Sequence, residues 1–129
     1  MEQLGNQSCP VAMIPGNHDC LFGDAVFSRF DFDRIDNVEM LADPEGETRV
    51  LSALDVAVWG KGMLDHCPEY RPIAGCPDAP DGVTWFIGLG HGIYVPPGMQ
   101  TDRSSPIHAD EIAVSPCDYL RSEEHTSEL

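Results

Sequence analysis

The stretch that decides the fold is VAMIPGNHD, residues 11–19. Its apolar first half, closed by Pro-Gly, predicts a short buried strand that ends in a sharp turn. Such a turn delivers an amide, an imidazole and a carboxylate together at the carboxyl end of a strand, where the chemistry of open α/β sheets takes place. A structural alternative is open, because Gly-Asn is common in turns and His-Asp can begin a helix.

A second apolar stretch, VTWFIGLGHG at residues 83–92, predicts another strand that ends in a polar side chain, His91. In the first stretch, the amide oxygen of Asn17 is a hard neutral ligand that suits Mn²⁺, Fe or Zn²⁺ beside phosphate. The imidazole of His18 can donate a proton to a leaving oxygen. Two strands that each end in such residues indicate an α/β protein with a site at the sheet edge.

Residues Gly16 to Asp19 resemble the Gly-Asn-His-Asp/Glu signature of the calcineurin-like metallophosphoesterases. His91-Gly92 resembles the next motif of that family, a metal-binding His after a core strand. Residues 103–107, 111–113 and 118–120 resemble the approach to its last motif, Gly-His-x-His, which does not follow. The resemblance covers Val11 to Leu120 and implies an α/β fold of two mixed sheets, packed face to face and flanked by helices.

The resemblance also implies hydrolysis of phosphodiesters or phosphomonoesters at a site with two divalent metal ions, Mn, Fe or Zn. Carried over by position, Asn17 and His91 would bind the same metal ion, and His18 would be the catalytic acid for the leaving group or a hydrogen-bond donor to the transition state. Asp19 is assigned to the turn and the helix start. The family's upstream Asp-x-His and Gly-Asp-x-x-Asp motifs are missing, so we expect residues 1–120 to be a partial domain, truncated at both ends and inactive by itself.

Within the family, the motifs look most like those of the prokaryotic branch that includes the nuclease subunits of double-strand-break repair exonucleases. That likeness would make nucleic acid a substrate and an ATPase a partner. A hypothesis of another class is a non-catalytic structural or interaction module that keeps the fold and has lost its metal ions. The retention of Asn17, His18 and His91 favours the enzyme.

The last nine residues, RSEEHTSEL at 121–129, look like the in-frame translation of a sequencing-library adapter. They have no apolar periodicity, and we exclude them from functional reasoning as a non-native tail. The alternative is a natural polar C-terminal segment.

Composition indicates one soluble domain. The 129 residues are 42% hydrophobic without a long apolar run, which argues against disorder and against a membrane span. The formal net charge of −15 repels phosphate backbones and argues against a protein that coats nucleic acid.

No signal peptide is visible, and five cysteines without a C-x-x-C pair predict reduced, mostly buried thiols in a cytoplasm.

Local patterns predict the other elements. A helix is expected over Leu21 to Phe30, followed by a β-rich middle with a turn at residues 43–46. The predicted strands are Val38 to Leu41, Thr48 to Leu51 and Val56 to Trp59. A helical turn within residues 65–74, a loop at 76–82 and a short helix or strand at 111–114 complete the prediction.

Other polar and aromatic candidates are assigned structural roles. His66 beside Cys67 is interpreted as a loop residue, because no second pair completes a zinc site. His108 is expected in an exposed loop or at a helix start. The aromatic residues Trp59, Trp85 and Tyr94 are expected in the core or at a rim.

Overall fold

The computed structural model describes residues 9–15, 37–63, 69–101 and 105–122. These ranges form a strand-rich α/β structure with little helix. Within these ranges, a 3-10 helix covers Ser52–Leu54, and one α-helix, α1, covers Ala109–Ala113. The strands are Val11–Met13 (β1), Val38–Met40 (β2), Glu47–Leu51 (β3), Val56–Gly60 (β4), Trp85–Gly90 (β5), Ile93–Val95 (β6), Pro106–His108 (β7) and Tyr119–Ser122 (β8).

The strands of the described ranges form three sheets. The largest has the order β3-β4-β5-β8, in which β3 is antiparallel to β4 while β4, β5 and β8 are parallel. The parallel pairs β1-β2 and β6-β7 form two small sheets. Because parallel neighbours end at the same edge, the carboxyl ends of β4, β5 and β8 lie side by side.

The core lies on the four-stranded sheet. Trp59 and Phe86, on adjacent strands, are almost fully buried and pack with Ala57, Ile73 and Ile107. Strand β4 is buried over its last four residues, as expected for a central strand covered on both faces. Burial of a side chain such as Phe86 stabilises the fold by about 1.5–3 kcal/mol.

The small β1-β2 sheet packs against the end of β4. A β-carbon added at Gly60 would lie 2.6 Å from Cγ2 of Ile14 and 2.9 Å from Cδ1 of Leu41. Only glycine permits this approach. An ion pair at 3.3 Å between Arg49 on β3 and Glu39 on β2 joins the same two sheets. The carboxyl ends of β1 and β4 are therefore neighbours.

The turn between β2 and β3 is held by backbone and side-chain bonds. The N–H of Gly46 donates to the carbonyl of Asp43 at 2.9 Å, and Oε2 of Glu47 accepts from the backbone N–H groups of Ala42 at 3.0 Å and Asp43 at 2.9 Å. Gly46 has φ +94°, a conformation that favours glycine. The predicted turn at residues 43–46 is confirmed.

The predicted strands at 38–41, 48–51, 56–59 and 83–92 are confirmed as β2 to β5, with small shifts at their ends. The expectation that β1 is buried is wrong: its three residues are only half-buried, since β2 is its single strand neighbour among the described residues. The predicted segment at 111–114 is helical and begins earlier, at Ala109. Strands β6 and β7 were not predicted.

Other predictions lie partly or wholly outside the described residues. These include the helix over Leu21 to Phe30 and the first half of the segment at 65–74, whose described half contains a turn at residues 72–75. Strand β8 continues through Arg121 and Ser122, the first two residues of the segment predicted to be non-native. Within the described ranges, no helix has the length and apolar character needed to cross a membrane.

Candidate functional site

His91 follows the last residue of β5 directly and is half-buried. Its position is fixed by close backbone packing at the next residue. A β-carbon at Gly92 would lie 2.2 Å from the carbonyl oxygen of Ser105, to which the N–H of Ile93 donates at 2.9 Å. No side chain fits there, so glycine is needed at this position. The prediction of a strand that delivers a His at its carboxyl end is confirmed.

A cavity of about 210 Å³ lies beside His91. Its lining comes from the ends of three strands. These residues are Ala12 on β1, Ile14 just after β1, Leu89 and Gly90 on β5, His91 just after β5, and Arg121 on β8. Residues two apart on a strand point to the same face. One wall of the cavity is therefore formed by Ala12 and Ile14, and the other by Leu89 and His91. The cavity is therefore formed where strands of two different sheets end together.

The chemistry of the cavity is mixed. Ala12, Ile14 and Leu89 supply apolar lining, while His91 and Arg121 supply an imidazole and a guanidinium. Arg121 stands opposite Leu89 in the β5-β8 register, which explains why it reaches the same cavity. A guanidinium beside an imidazole suits an anionic group such as a phosphoryl oxygen.

The other two predicted site residues, Asn17 and His18, lie outside the described residues. The chain that leads to them is described as far as Pro15, which is buried. The structure thus brings together His91 and the segment that precedes Asn17.

Within the described ranges, no three His, Cys, Asp or Glu side chains converge on a point where a metal ion could bind. His91 is the one residue of the predicted ligand set that is described. Its imidazole is a suitable donor for Mn, Fe or Zn, and it lines a cavity that could admit an ion.

His108 has a structural role in the described fold. It is the residue before α1, and Oε2 of Glu111 accepts from the backbone N–H of His108 at 2.9 Å. This bond caps the amino end of α1. The helix-start interpretation is confirmed, although the residue is half-buried rather than exposed.

The aromatic residues divide into two groups. Trp59 is in the core as predicted, with 1% of its surface exposed. Trp85 and Tyr94 are not core residues, because more than half of each side chain is exposed. They lie on strand faces that no described element covers. His66 and Cys67 lie outside the described residues.

Sequence reasoning missed three features of the described surface. These are the contribution of Arg121 to the cavity, a surface groove of about 540 Å³ beside α1, and a contact between the thiols of Cys76 and Cys117. Each depends on segments that are distant in sequence. Only the groove had a local signal, the run Pro96-Pro97-Gly98 that forms one of its walls.

Comparison of the chain with family models, with curated proteins and with solved structures found no match.

Proposed function

We propose that the cavity beside His91 belongs to a metal-dependent phosphoester hydrolysis site of the calcineurin-like type. The observation that carries the proposal is that Ile14 and His91 line the same cavity. The strand that precedes Asn17 and His18 therefore ends beside the strand that precedes His91. The strands that precede two separate motifs of the resemblance therefore end at one cavity.

Chain geometry is compatible with a shared site. Asn17 follows Ile14 by three residues, a span of at most about 11 Å of extended chain. The described chain that leads to Asn17 and His18 forms one wall of the cavity, and His91 belongs to the other. This arrangement is the one expected for side chains at the carboxyl ends of strands.

In this proposal Asn17 and His91 would hold a divalent metal ion through an amide oxygen and an imidazole nitrogen. Such an ion, when bound, neutralises charge on phosphoryl oxygens. His18 donates a proton to the leaving oxygen, which makes the departing group neutral. Arg121 is left out of the proposed catalytic set, because the sequence from this residue onward is predicted to be non-native.

The proposed substrate class is phosphomonoesters or phosphodiesters. Nucleic acid as a substrate and an ATPase as a partner stay predictions of the family resemblance. The formal charge of −15 makes bound divalent cations important for any polyanionic substrate, since without them the protein would repel it.

Equilibrium binding of Mn²⁺, measured by the electron paramagnetic resonance signal of the free ion, tests the proposal. The chain should bind Mn²⁺ weakly. His91→Ala should reduce the affinity by at least about 10–100-fold, which is the loss seen when a residue that only hydrogen-bonds to a metal ligand is removed. His108→Ala is the matched control, because it removes an imidazole that does not line this cavity. Equal affinities for the wild type and His91→Ala would favour the non-catalytic module instead.

A further inference from the structure

A pair of thiols lies between two segments that pack on the core. Sγ of Cys76 and Sγ of Cys117 are 3.6 Å apart, although 41 residues separate them in sequence. Both are half-buried free cysteines, and both pack against the cluster that contains Trp59 and Phe86. The contact joins the loop that precedes β5 to the segment that leads into β8.

Hydrogen bonds hold both sides of this contact. On the first side, Nζ of Lys61 donates to the carbonyl oxygens of Arg71 at 3.1 Å and Ala74 at 3.2 Å, which fixes the turn before Cys76. On the second side, the N–H of Cys117 donates to Oγ of Ser115 at 3.3 Å. The two thiols are therefore held near each other by the fold around them.

The packing around Cys117 is tight. A β-carbon added at Gly88 would lie 2.8 Å from the Cys117 Sγ, so this sulfur fills the space that a larger residue on β5 would need. The neighbouring Asp118 accepts a hydrogen bond from the N–H of Phe86 at 2.8 Å. Cys117 is thus restrained on the β5 side while its sulfur lies against Cys76.

We propose that Cys76 and Cys117 form a reversible disulfide that covalently links the segment before β8 to the loop before β5. The sulfurs are 3.6 Å apart and a disulfide needs an S–S distance of about 2.05 Å, so they must approach by about 1.5 Å. This inference does not depend on the proposed hydrolysis site.

A low-molecular-weight disulfide such as oxidised glutathione is the oxidant. One protein thiol loses its proton and attacks a glutathione sulfur, which releases one glutathione thiolate and leaves a mixed disulfide. The second protein thiol loses its proton and attacks the protein sulfur of that mixed disulfide, which releases the second glutathione. Two protein thiols are oxidised, one glutathione disulfide is reduced to two thiols, and the two protons pass to the released thiolates.

Burial raises the pKa of the Cys76 thiol to about 12, and the neighbouring Cys117 adds to the effect. The thiolate is the reacting form, so at neutral pH oxidation should be slow. The pair is consequently expected to respond to sustained oxidising conditions.

Disulfide mapping of the full chain tests the proposal. The chain is incubated with oxidised glutathione, the remaining thiols are alkylated, and the protein is cut after glutamate. This cleavage places Cys76 alone in residues 70–111 and Cys117 alone in residues 112–123, with Cys67 in residues 48–69 and both Cys9 and Cys20 in residues 3–39. A cross-link that involves Cys76, Cys117 or Cys67 is therefore identified by the two peptides that reduction separates.

The expected product joins residues 70–111 to residues 112–123, and it should be more abundant than the same cross-link formed in concentrated urea, where the fold no longer holds the two thiols together. Oxidation should also raise the thermal midpoint by roughly 5–15 °C. Cys76→Ser and Cys117→Ser should each abolish both effects, whereas Cys9→Ser, at an exposed thiol, should leave them unchanged. Glutathione adducts without this cross-link, or a cross-link no more abundant than in urea, would overturn the proposal.

Discussion

Asp118 is bound twice to the backbone of Phe86. Its Oδ2 accepts from the Phe86 N–H at 2.8 Å, and its own N–H donates to the Phe86 carbonyl at 2.8 Å. The pair stands where β8 begins its parallel pairing with β5, one residue before the first register pair, Ile87 with Tyr119. Asp118 thereby sets the register that places Arg121 opposite Leu89 at the cavity.

The first prediction concerns this anchor. Asp118→Ala leaves the Phe86 N–H without its acceptor at a half-buried position, so the free energy of unfolding should fall by about 1–3 kcal/mol. Asp81→Ala, at an exposed loop position, is the control and should change stability by less than about 0.5 kcal/mol. Urea unfolding of the three proteins provides the measurement. Equal stability of the two variants would contradict the anchoring role.

The second prediction compares two glycines with positive φ. Gly46, at φ +94°, faces the indole of Trp59, and a β-carbon there would lie 2.6 Å from Cζ2; Gly75, at φ +84°, has open space around it. Gly75→Ala should therefore cost only the backbone penalty, about 1–2 kcal/mol. Gly46→Ala should cost more, by roughly 1–3 kcal/mol, because the buried indole must move. Thermal unfolding of both variants tests this prediction. Equal losses of stability would mean that the Trp59 side chain can move aside without an energetic penalty.

The third prediction concerns Tyr70 in alkaline solution. Burial raises the pKa of Tyr70 from 10.0 to about 12. Between these values the unfolded chain has released the phenolic proton while the folded chain still holds it, so the free energy of unfolding falls as the pH rises. The stabilisation is fully present below pH 10 and is lost towards pH 12.

Urea unfolding across that pH range, with Tyr70→Phe as the reference protein, measures the contribution of Tyr70. The wild type should lose more stability than the variant as the pH rises. The comparison cancels much of the effect of Cys76, whose pKa is also raised by burial, and of Lys61, whose pKa burial lowers. Parallel pH profiles for the two proteins would show that Tyr70 is not buried as described.

The fourth prediction separates Asn17 from His18. Asn17 is proposed to bind metal and His18 to act on the leaving group, so Asn17→Ala should weaken Mn²⁺ binding by about 10-fold or more while His18→Ala should leave it unchanged. Paramagnetic resonance titration of the two variants beside the wild type gives the answer. Loss of Mn²⁺ binding in His18→Ala would show that His18 is a ligand or holds the turn, and its assignment as the acid would fail.

The strands that the sequence predicted share local signals. Strand β5 is an apolar run with a His directly after it, and β3 and β4 are separated from their neighbours by turn residues such as those at 43–46. These signals also predicted that His91 would stand at the carboxyl end of a strand. For the candidate site, this one position could be derived and is confirmed.

The features that the sequence did not predict depend on distant segments. Strands β6 and β7 have three residues each, and they become strands only by pairing with each other. The exposure of Trp85 and Tyr94 depends on which sheet faces other elements cover. The Cys76 to Cys117 contact and the entry of Arg121 into the cavity follow from the β5-β8 pairing, which no local pattern encodes.

The most direct test of the central proposal is to locate bound Mn²⁺ by the line broadening of isoleucine methyl signals in nuclear magnetic resonance. Ile14 lines the cavity beside His91, whereas Ile112 lies on the exposed side of α1. The proposal predicts that Mn²⁺ broadens the Ile14 signal first, that Ile112 stays sharp, and that His91→Ala removes the difference. An Ile14 signal that stays sharp, or equal broadening in the wild type and His91→Ala, would contradict a metal site in this cavity.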